Sequence, residues 1–500
     1  MTPLLVFFAT IIVLLYAQYY LSRRHLYAAA AKIKGPRGLP LIGNAHLFVG
    51  KTADFFQKLN SIFSHVDKEP YKLWLGPYLL ISLKNPVHLE KIMSSSKFAQ
   101  KHELYVFLES FVGEGLISSS GAKTKYKIHR RLIQPLFDLK FVASTIHIIQ
   151  NQTNICMKIL EDYVDKKSFN IHNVIINCSI DIMGEITLGQ NINSQKYGPT
   201  KFCQALIDMY DLAYARMTKV WLQPDFIYNR LSLKTKSDAV HADLKDFIQE
   251  ALIDSWKRRK ITKTEVTEQF VPTIDRLLEV VENNQDIMNN EDLVHHLITL
   301  FAASDDTFAI IASFTAVCFG MYHEYQKKAA EEIRTIIGKE PKPITMEDIY
   351  KLKYLDMCIK DIMRLFTIAP YILRRNSEDF QLDKWTLPRG AAIVIPIHHL
   401  HRDPTHWENP DHFHPNHFLP EAVQKRHIYA YLPFSSGPRG CIGKMMANVL
   451  LKVFLVQLLQ KFEIQAEGKV PDITLCCDIS VRPREGYICT LKKRNWNTIE

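Results

Sequence analysis

The sequence predicts a mainly α-helical protein with small β-sheets, carried behind an N-terminal transmembrane helix. Three observations lead there. Helical patterns dominate from about Thr52 to Lys461, with no Gly/Ser linker, low-complexity run or internal repeat between them. Strand-like runs are short: Tyr71–Leu75 and Tyr78–Ser82 flank a Gly76-Pro77 turn, and Ala391–Ile397 reads as a buried strand. Residues Met1 to Ser22 carry no charged side chain, which is close to the length needed to cross a bilayer as a helix. At 500 residues, length alone leaves one large domain or several open.

The apolar run from Leu4 to Leu21 is broken only by Thr10 and Gln18, and Arg23, Arg24, Lys32 and Lys34 follow it. A cleaved signal peptide carries its positive charge before the apolar run and small residues at the cleavage site. Here the charge follows, so an uncleaved anchor over residues 1–22 is expected, and the positive-inside rule puts the remainder in the cytosol. Residues 23–44 read as a basic, proline-rich hinge. Its stretch Gly35-Pro36-Arg37-Gly38-Leu39-Pro40-Leu41-Ile42-Gly43-Asn44 is stiff and non-helical, since proline fixes φ and glycine turns the chain. The rest, 45–500, is the candidate catalytic domain.

The net charge of +10 suits anionic membrane lipid or acidic protein partners; no nucleic-acid motif appears. Nine cysteines show no regular spacing, and the adjacent Cys476-Cys477 makes neither a zinc site nor a disulfide framework. That usage fits a reducing compartment, where the sequons at Asn151 and Asn177 stay unused. Among twenty histidines, His398-His399 and His412/His414 offer no convincing ligand set and read as surface residues.

The most informative stretch is Phe434-Ser435-Ser436-Gly437-Pro438-Arg439-Gly440-Cys441-Ile442-Gly443, followed at once by an apolar helix from Met445 towards Phe462. Gly437 and Gly443 give backbone freedom where a side chain would block close approach. Backbone N–H groups and a helix start near the sulfur favour thiolate over thiol. A thiolate suits a soft metal, and haem iron accepts a single axial cysteine. A buried free cysteine in a tight turn is the bland alternative. The F-x-x-G-x-R-x-C-x-G spacing resembles, at every named position, the haem-binding signature of the cytochrome P450 family of haem-thiolate monooxygenases.

That resemblance implies one mainly α haem domain with small sheets, and extends from the hinge to about Pro483. It implies that Cys441 ligates the iron of a haem b, that Phe434 packs near the sulfur, that Arg439 pairs with a haem propionate, and that Gly443 lets the following helix lie close. The basic stretch Gly121–Phe137 matches the family through Arg130 and Pro135, with Tyr126-x-x-x-Arg130 in place of W-x-x-x-R; residues four apart share a helix face. Arg374 follows Pro370 at the spacing of another propionate-binding arginine. The hinge resembles that of microsomal members.

A long apolar helix, Asp292–Phe319, carries Ala302-Ala303-Ser304-Asp305-Asp306-Thr307. An acid beside an alcohol inside an apolar helix is costly unless satisfied. The segment resembles the family's oxygen-activation motif A-G-x-D-T. Carried without gaps to His323-Glu324, the match makes Asp306 the acid and Thr307 the alcohol; a second register would use Asp305 and Asp306. Either way an alanine stands where many family-4-like members have a glutamate that bonds covalently to haem, so non-covalent haem is expected. Asp361-x-x-Arg364 resembles the family's E-x-x-R pair with a shorter acid, and His417 stands where the third partner, an arginine, is usual.

The implied reaction inserts one oxygen atom from O2 into a small lipophilic substrate, such as a fatty acid, hormone or xenobiotic. Electrons come from NADPH through a reductase, with cytochrome b5 as an optional second partner. The implied location is the endoplasmic reticulum membrane, in an insect-like, family-4-like branch. Two alternatives stay open: a haem-thiolate isomerase or dehydratase working without reductase, and a non-catalytic haem-binding protein.

Overall fold

The computed structural model describes residues 2–66, 69–119, 125–262, 270–340 and 342–496. The first four residues of the basic stretch, 121–124, lie outside them. The apolar span Leu4–Ser22 of the helix Thr2–Ser22 buries nothing, and the helix meets the rest of the protein near its C-terminal end, through Tyr20. The one other helix among the described residues long and apolar enough to cross a membrane, Asn290–Met321, is mostly buried in the protein. Length and composition therefore mark both, and burial separates anchor from core.

The hinge is less loose than its composition suggests. A short helix, Arg24–Ala31, follows the anchor and buries Leu26 and Ala30. Tyr27 stacks between Tyr20 of the anchor (5.0 Å) and Trp74 of the first strand (4.7 Å). Asn44 closes the hinge: its amide donates to the Arg37 carbonyl, and its Oδ1 accepts the Trp74 N–H at 2.9 Å. Gly43, at φ +58, sits so close that a Cβ would lie 2.6 Å from the Trp74 carbonyl oxygen.

Both expected strands, Tyr71–Leu75 and Tyr78–Ser82, are present and pair antiparallel with Leu73 opposite Leu80. The sheet continues through Ala392–Ile395, parallel to the second strand, to Ile372–Arg375. The buried strand is shorter than the expected 391–397. Pro396 has no N–H to continue the ladder, and Ile397–Leu400 turns into a helix. That turn corrects the reading of His398-His399 as surface residues. His398 is buried with its Nδ1 3.1 Å from Arg402, and His399 is half-buried with its Nε2 3.1 Å from the Tyr371 hydroxyl. Of the other pair, His412 is exposed and His414 is half-buried.

The main core is helical. Asn290–Met321 runs through it, started by a capping box: Asn289 Oδ1 accepts the Asp292 N–H at 2.8 Å, and the Asp292 carboxylate accepts the Asn289 N–H. The helix Lys444–Lys461 follows the cysteine loop and is buried on nearly every side, so its sequence shows no polar stripe. Lys353–Leu365 carries Asp361 and Arg364. Its first three N–H groups donate to the Glu332 carboxylate at 2.7–2.9 Å, filling the orphan donors of a helix start. A hairpin that the sequence did not reveal, Leu475–Cys477 with Val481–Pro483, closes over the core near the C-terminus.

Because the anchor buries nothing, deleting residues 2–22 should leave the thermal unfolding midpoint of the remaining chain nearly unchanged. The same deletion should release the protein from membranes under carbonate extraction, read by pelleting. A large drop in midpoint would show that the anchor is part of the fold.

Candidate active site

The cysteine loop is built around Gly437. It lies at φ +68, and a Cβ there would be 1.9 Å from the Met93 carbonyl oxygen, so only glycine fits. Gly443 differs from expectation. Its φ is ordinary, and a Cβ would meet only the Cys441 sulfur, at 3.9 Å; its bareness matters to the space beside the sulfur, not to the backbone. The Cys441 N–H donates to the Phe434 carbonyl at 2.9 Å, and the half-buried Phe434 ring packs against the main core.

Cys441 is the only exposed cysteine among the described residues. Its sulfur is reachable by solvent yet walled by protein, and this desolvation pushes the thiol up from its ordinary range. The Gly443 N–H and the charges of Arg130 and Lys444 pull the other way and do not win. A cation at the sulfur would add to the pull towards thiolate.

Tyr126 and Arg130 lie on the helix Lys125–Ile133. The Tyr126 hydroxyl donates to the Pro438 carbonyl at 2.9 Å and receives Arg130 Nη1 at 3.3 Å. The Arg439 guanidinium lies over the Tyr126 ring (3.2 Å) and donates to the carbonyls of Ala99, Leu116 and Ser119. Arg374, buried, reaches Ser435 Oγ at 3.5 Å. The structure thus brings Tyr126, Arg130, Arg374 and Arg439 around the loop. It adds Lys101, which sequence reasoning missed because no motif marks it. Burial first, then the charges of Arg374 and Arg439, push the Lys101 ammonium well down.

The central helix is buried along most of its length but opens at Leu300, Ala303, Ser304 and Thr307. That spacing is one helix face. Thr307 Oγ1 donates to the Ala303 carbonyl at 3.0 Å, leaving its lone pairs towards the opening. Adjacent helical residues point about 100° apart, so Asp306 does not share this face. It is buried, with Oδ1 accepting Arg482 Nη2 at 2.7 Å. Asp305 is buried too, and burial together with the Asp306 charge pushes its carboxyl well up. The motif's acid and alcohol are therefore not hydrogen-bonded to each other. Arg482 was not legible as a site residue: it lies in a short strand with no pattern around it.

The third cluster is intact. Arg364 Nε donates to Asp361 Oδ1 at 2.6 Å and Nη2 to Oδ2 at 3.3 Å, with both side chains fully buried. The remaining donors reach the carbonyls of His401 (3.1 Å), Pro410 and His412 (2.8 Å). His417 Nδ1 lies 2.9 Å from Asp361 Oδ1, and its Nε2 lies 2.6 Å from the Glu408 carbonyl oxygen. Each ring nitrogen is thus placed against an acceptor oxygen. Asp361 also accepts the His414 N–H at 2.6 Å.

A central helix with an open face around an alcohol, in a fold whose accessible cysteine sits in a glycine-bent loop with cations beside it, is the construction of a haem-thiolate enzyme. The family model for cytochrome P450 matches residues 33–490, and the chain belongs to that family. It is similar to mouse "Cytochrome P450 4V2", 32% identical over 471 residues, covering 92% of this chain and 89% of that one. The human protein of that name is 31% identical over 472 residues, covering 92% and 89%. Fly "Cytochrome P450 4c3" is 27% identical over 519 residues, covering 99% and 95%. The chain is thus a haem-thiolate monooxygenase of the family-4-like branch.

The residues present fit a haem. Lys101, Arg374 and Arg439 gather with Arg130 beside the loop, and among the described residues no carboxylate lies within ion-pair distance of any of them. Burial lowers the Arg374 guanidinium, and burial with repulsion from Arg374 lowers Arg439 to about 10. Such a set calls for an anionic partner, and the propionates of a haem would meet that need.

For Asp361, burial pushes the carboxyl up, but the Arg364 charge and the hydrogen bonds from His417 and Arg364 outweigh it and hold it below its ordinary range. A depressed carboxyl stabilises the fold above its unfolded pKa, and that contribution is lost as pH falls through the lowered value. Asp361→Asn should therefore lower the urea midpoint at neutral pH and flatten its fall in acid. Removing the carboxylate leaves buried cations unpaired and should cost on the order of 3–5 kcal/mol. In a cycle of Asp361→Glu, His417→Arg and both together, coupling of about 0.5–3 kcal/mol is expected; additive effects would show that His417 is not part of the set.

Proposed function

We propose that Cys441 is the axial haem ligand and that Tyr126, Arg130, Arg374, Phe434, Arg439 and Gly443, with Lys101, form the haem's protein surroundings. The haem is haem b, held non-covalently. When bound, it supplies the activation of O2 that transfers one oxygen atom to substrate. The chain's own part is to hold the sulfur in place, satisfy the propionates, and control protons and substrate at the opened face of the central helix.

The observation that carries this reading is the opening itself. In the first register Ala303 and Thr307 lie on the open face, whereas the second would use Ala302 and Asp306, which are buried. Ala303 at the opening offers no carboxylate for an ester, which supports non-covalent haem. Leu300 and Ala303 make the face apolar enough for a small lipophilic substrate, with Thr307 its polar point. A threonine hydroxyl that donates back to its own helix can accept a proton-bearing water, the role of an alcohol in a relay. The satisfied Asp361–Arg364–His417 set favours a working enzyme over a non-catalytic haem carrier.

In this reading electrons come from NADPH through a membrane-bound reductase, with cytochrome b5 an optional donor. The anchor spans residues 1–22 and the hinge 23–44, and the catalytic domain, 45–500, faces the cytosol from the endoplasmic reticulum. The substrate is a small lipophilic molecule such as a fatty acid, hormone or xenobiotic; an optical screen for substrate-induced spectral shifts on the purified holoenzyme would identify which.

Two measurements test the site. Cys441→Ser should abolish the red-shifted ferrous–CO band of a thiolate-ligated haem, and a normal band in that variant would remove the assignment of the loop. Thr307→Ala should keep the band and uncouple turnover, so that NADPH is consumed while peroxide rises. Unchanged coupling would count against the first register.

A further inference from the structure

We propose that the cavity between the anchor, the hinge and the first strand seats the phosphate of one anionic phospholipid. The inference goes beyond the monooxygenase reading and does not depend on haem; it uses only the apolar N-terminal helix as an anchor. The cavity has a volume of about 310 Å³ and is lined by Tyr19, Tyr27 and Trp74, by hinge residues between Gly35 and Gly43, and by the side chains of Arg37 and Lys72. That is the size of a small-molecule site. Tyr19 lies in the last turn of the anchor helix, which ends at Ser22. The cavity therefore sits at the end of the apolar span, the level at which aromatic rings meet lipid headgroups.

Its charge is one-sided. Arg37 and Lys72 line it, and no carboxylate does. The acid that pairs with the hinge, Glu69, lies outside the lining and is held by Lys34 at 3.6 Å and Lys384 at 2.8 Å. Arg37 is exposed, and its guanidinium has no ion-pair or hydrogen-bond partner among the described residues. Its carbonyl accepts from Asn44 at 2.9 Å, which fixes the backbone beneath it. Lys72 is half-buried, and its Nζ donates to the Ala30 carbonyl at 2.6 Å. An ammonium has three donors, so two remain. Burial lowers this ammonium below its ordinary range, and no anion offsets the burial. A planar guanidinium and an ammonium lining one cavity suit the oxygens of a phosphate, and basic pockets beside membrane helices take anionic headgroups.

Three aromatic side chains in the lining raise a second chemistry, a cage for a quaternary ammonium, which needs free ring faces. The faces are already taken. Tyr27 stacks on Tyr20 at 5.0 Å and on Trp74 at 4.7 Å, which covers both of its sides and one side of Trp74. The Arg23 guanidinium lies over the Tyr19 ring at 4.2 Å, and it adds a third positive charge beside the cavity. Trp74 is otherwise buried. The headgroup is therefore read through its phosphate and its net negative charge, not through an amine.

The test titrates the full-chain holoenzyme in detergent with dihexanoyl phosphatidic acid, kept below its micelle concentration, and follows tryptophan fluorescence. Binding should saturate at one lipid per chain, and Trp74→Phe, which keeps the ring stack, should remove the signal. Arg37→Gln should weaken binding about tenfold, the loss of a charge-assisted phosphate contact. Lys32→Gln removes the same charge from an exposed hinge position outside the lining and should weaken it by less than about twofold. Both variants should keep the melting midpoint. Lys72→Met should also weaken binding; if it lowers the midpoint, Arg37→Gln alone carries the test. Equal losses in Arg37→Gln and Lys32→Gln, or binding that does not saturate, would overturn the proposal in favour of general charge attraction. Inorganic phosphate binding as tightly as the lipid would make this a free-phosphate site, and dihexanoyl phosphatidylcholine binding as tightly would remove the preference for negative charge; either result overturns it. None of these readings uses the ferrous–CO band, so they stand apart from the haem assignment.

Discussion

The structure depends on one buried guanidinium. Arg364 is fully buried and spends its donors on Asp361 and on the carbonyls of His401, Pro410 and His412. Those carbonyls belong to the segment of short helices and turns between the last strand of that sheet and the cysteine loop. Burying a cation is expensive unless it is paired and hydrogen-bonded, and here Asp361 supplies the charge while the segment supplies the acceptors. Folding the segment and neutralising the arginine are therefore one event. The loop that presents Cys441 begins where that segment ends.

The family's usual third partner is an arginine, and this chain meets the same need with histidine. A histidine ring has only two nitrogens, and the structure uses both, one on Asp361 and one on the Glu408 carbonyl. The shorter acid and the smaller third partner fit together: Asp361 is bonded to Arg364, His417 and the His414 N–H. Two departures from a pattern, each suspect alone, make a complete set in three dimensions.

What the sequence made legible was whatever a local pattern could carry. The strands around Gly76-Pro77, the apolar anchor, the long central helix and the cysteine loop all declare themselves through periodicity, turn residues or fixed spacing. The membership of His417 in the buried set was also legible, because its place in the motif is fixed; its second partner, a carbonyl nine residues upstream, was not. Asp306 reads in the sequence as an acid beside an alcohol, but the rotation between neighbouring helix positions turns it away from Thr307 and towards Arg482. That partner comes from a hairpin of three-residue strands, too short to show a period. Lys101 escaped notice for a related reason, since a single lysine gains meaning only when the fold sets it against Arg374 and Arg439. Gly443 shows the reverse, a glycine whose backbone is ordinary while Gly437, six residues earlier, bears the close approach.

The stacked rings of Tyr20, Tyr27 and Trp74 change what kind of tether the N-terminus is. A flexible leash would let the domain tumble above the bilayer and show every side of itself to neighbours. Tyr27, stacked between the N-terminal helix and the first strand, sets the direction in which that helix leaves the domain. A helix that leaves in a fixed direction restricts which side of the domain can face whatever surface the helix enters.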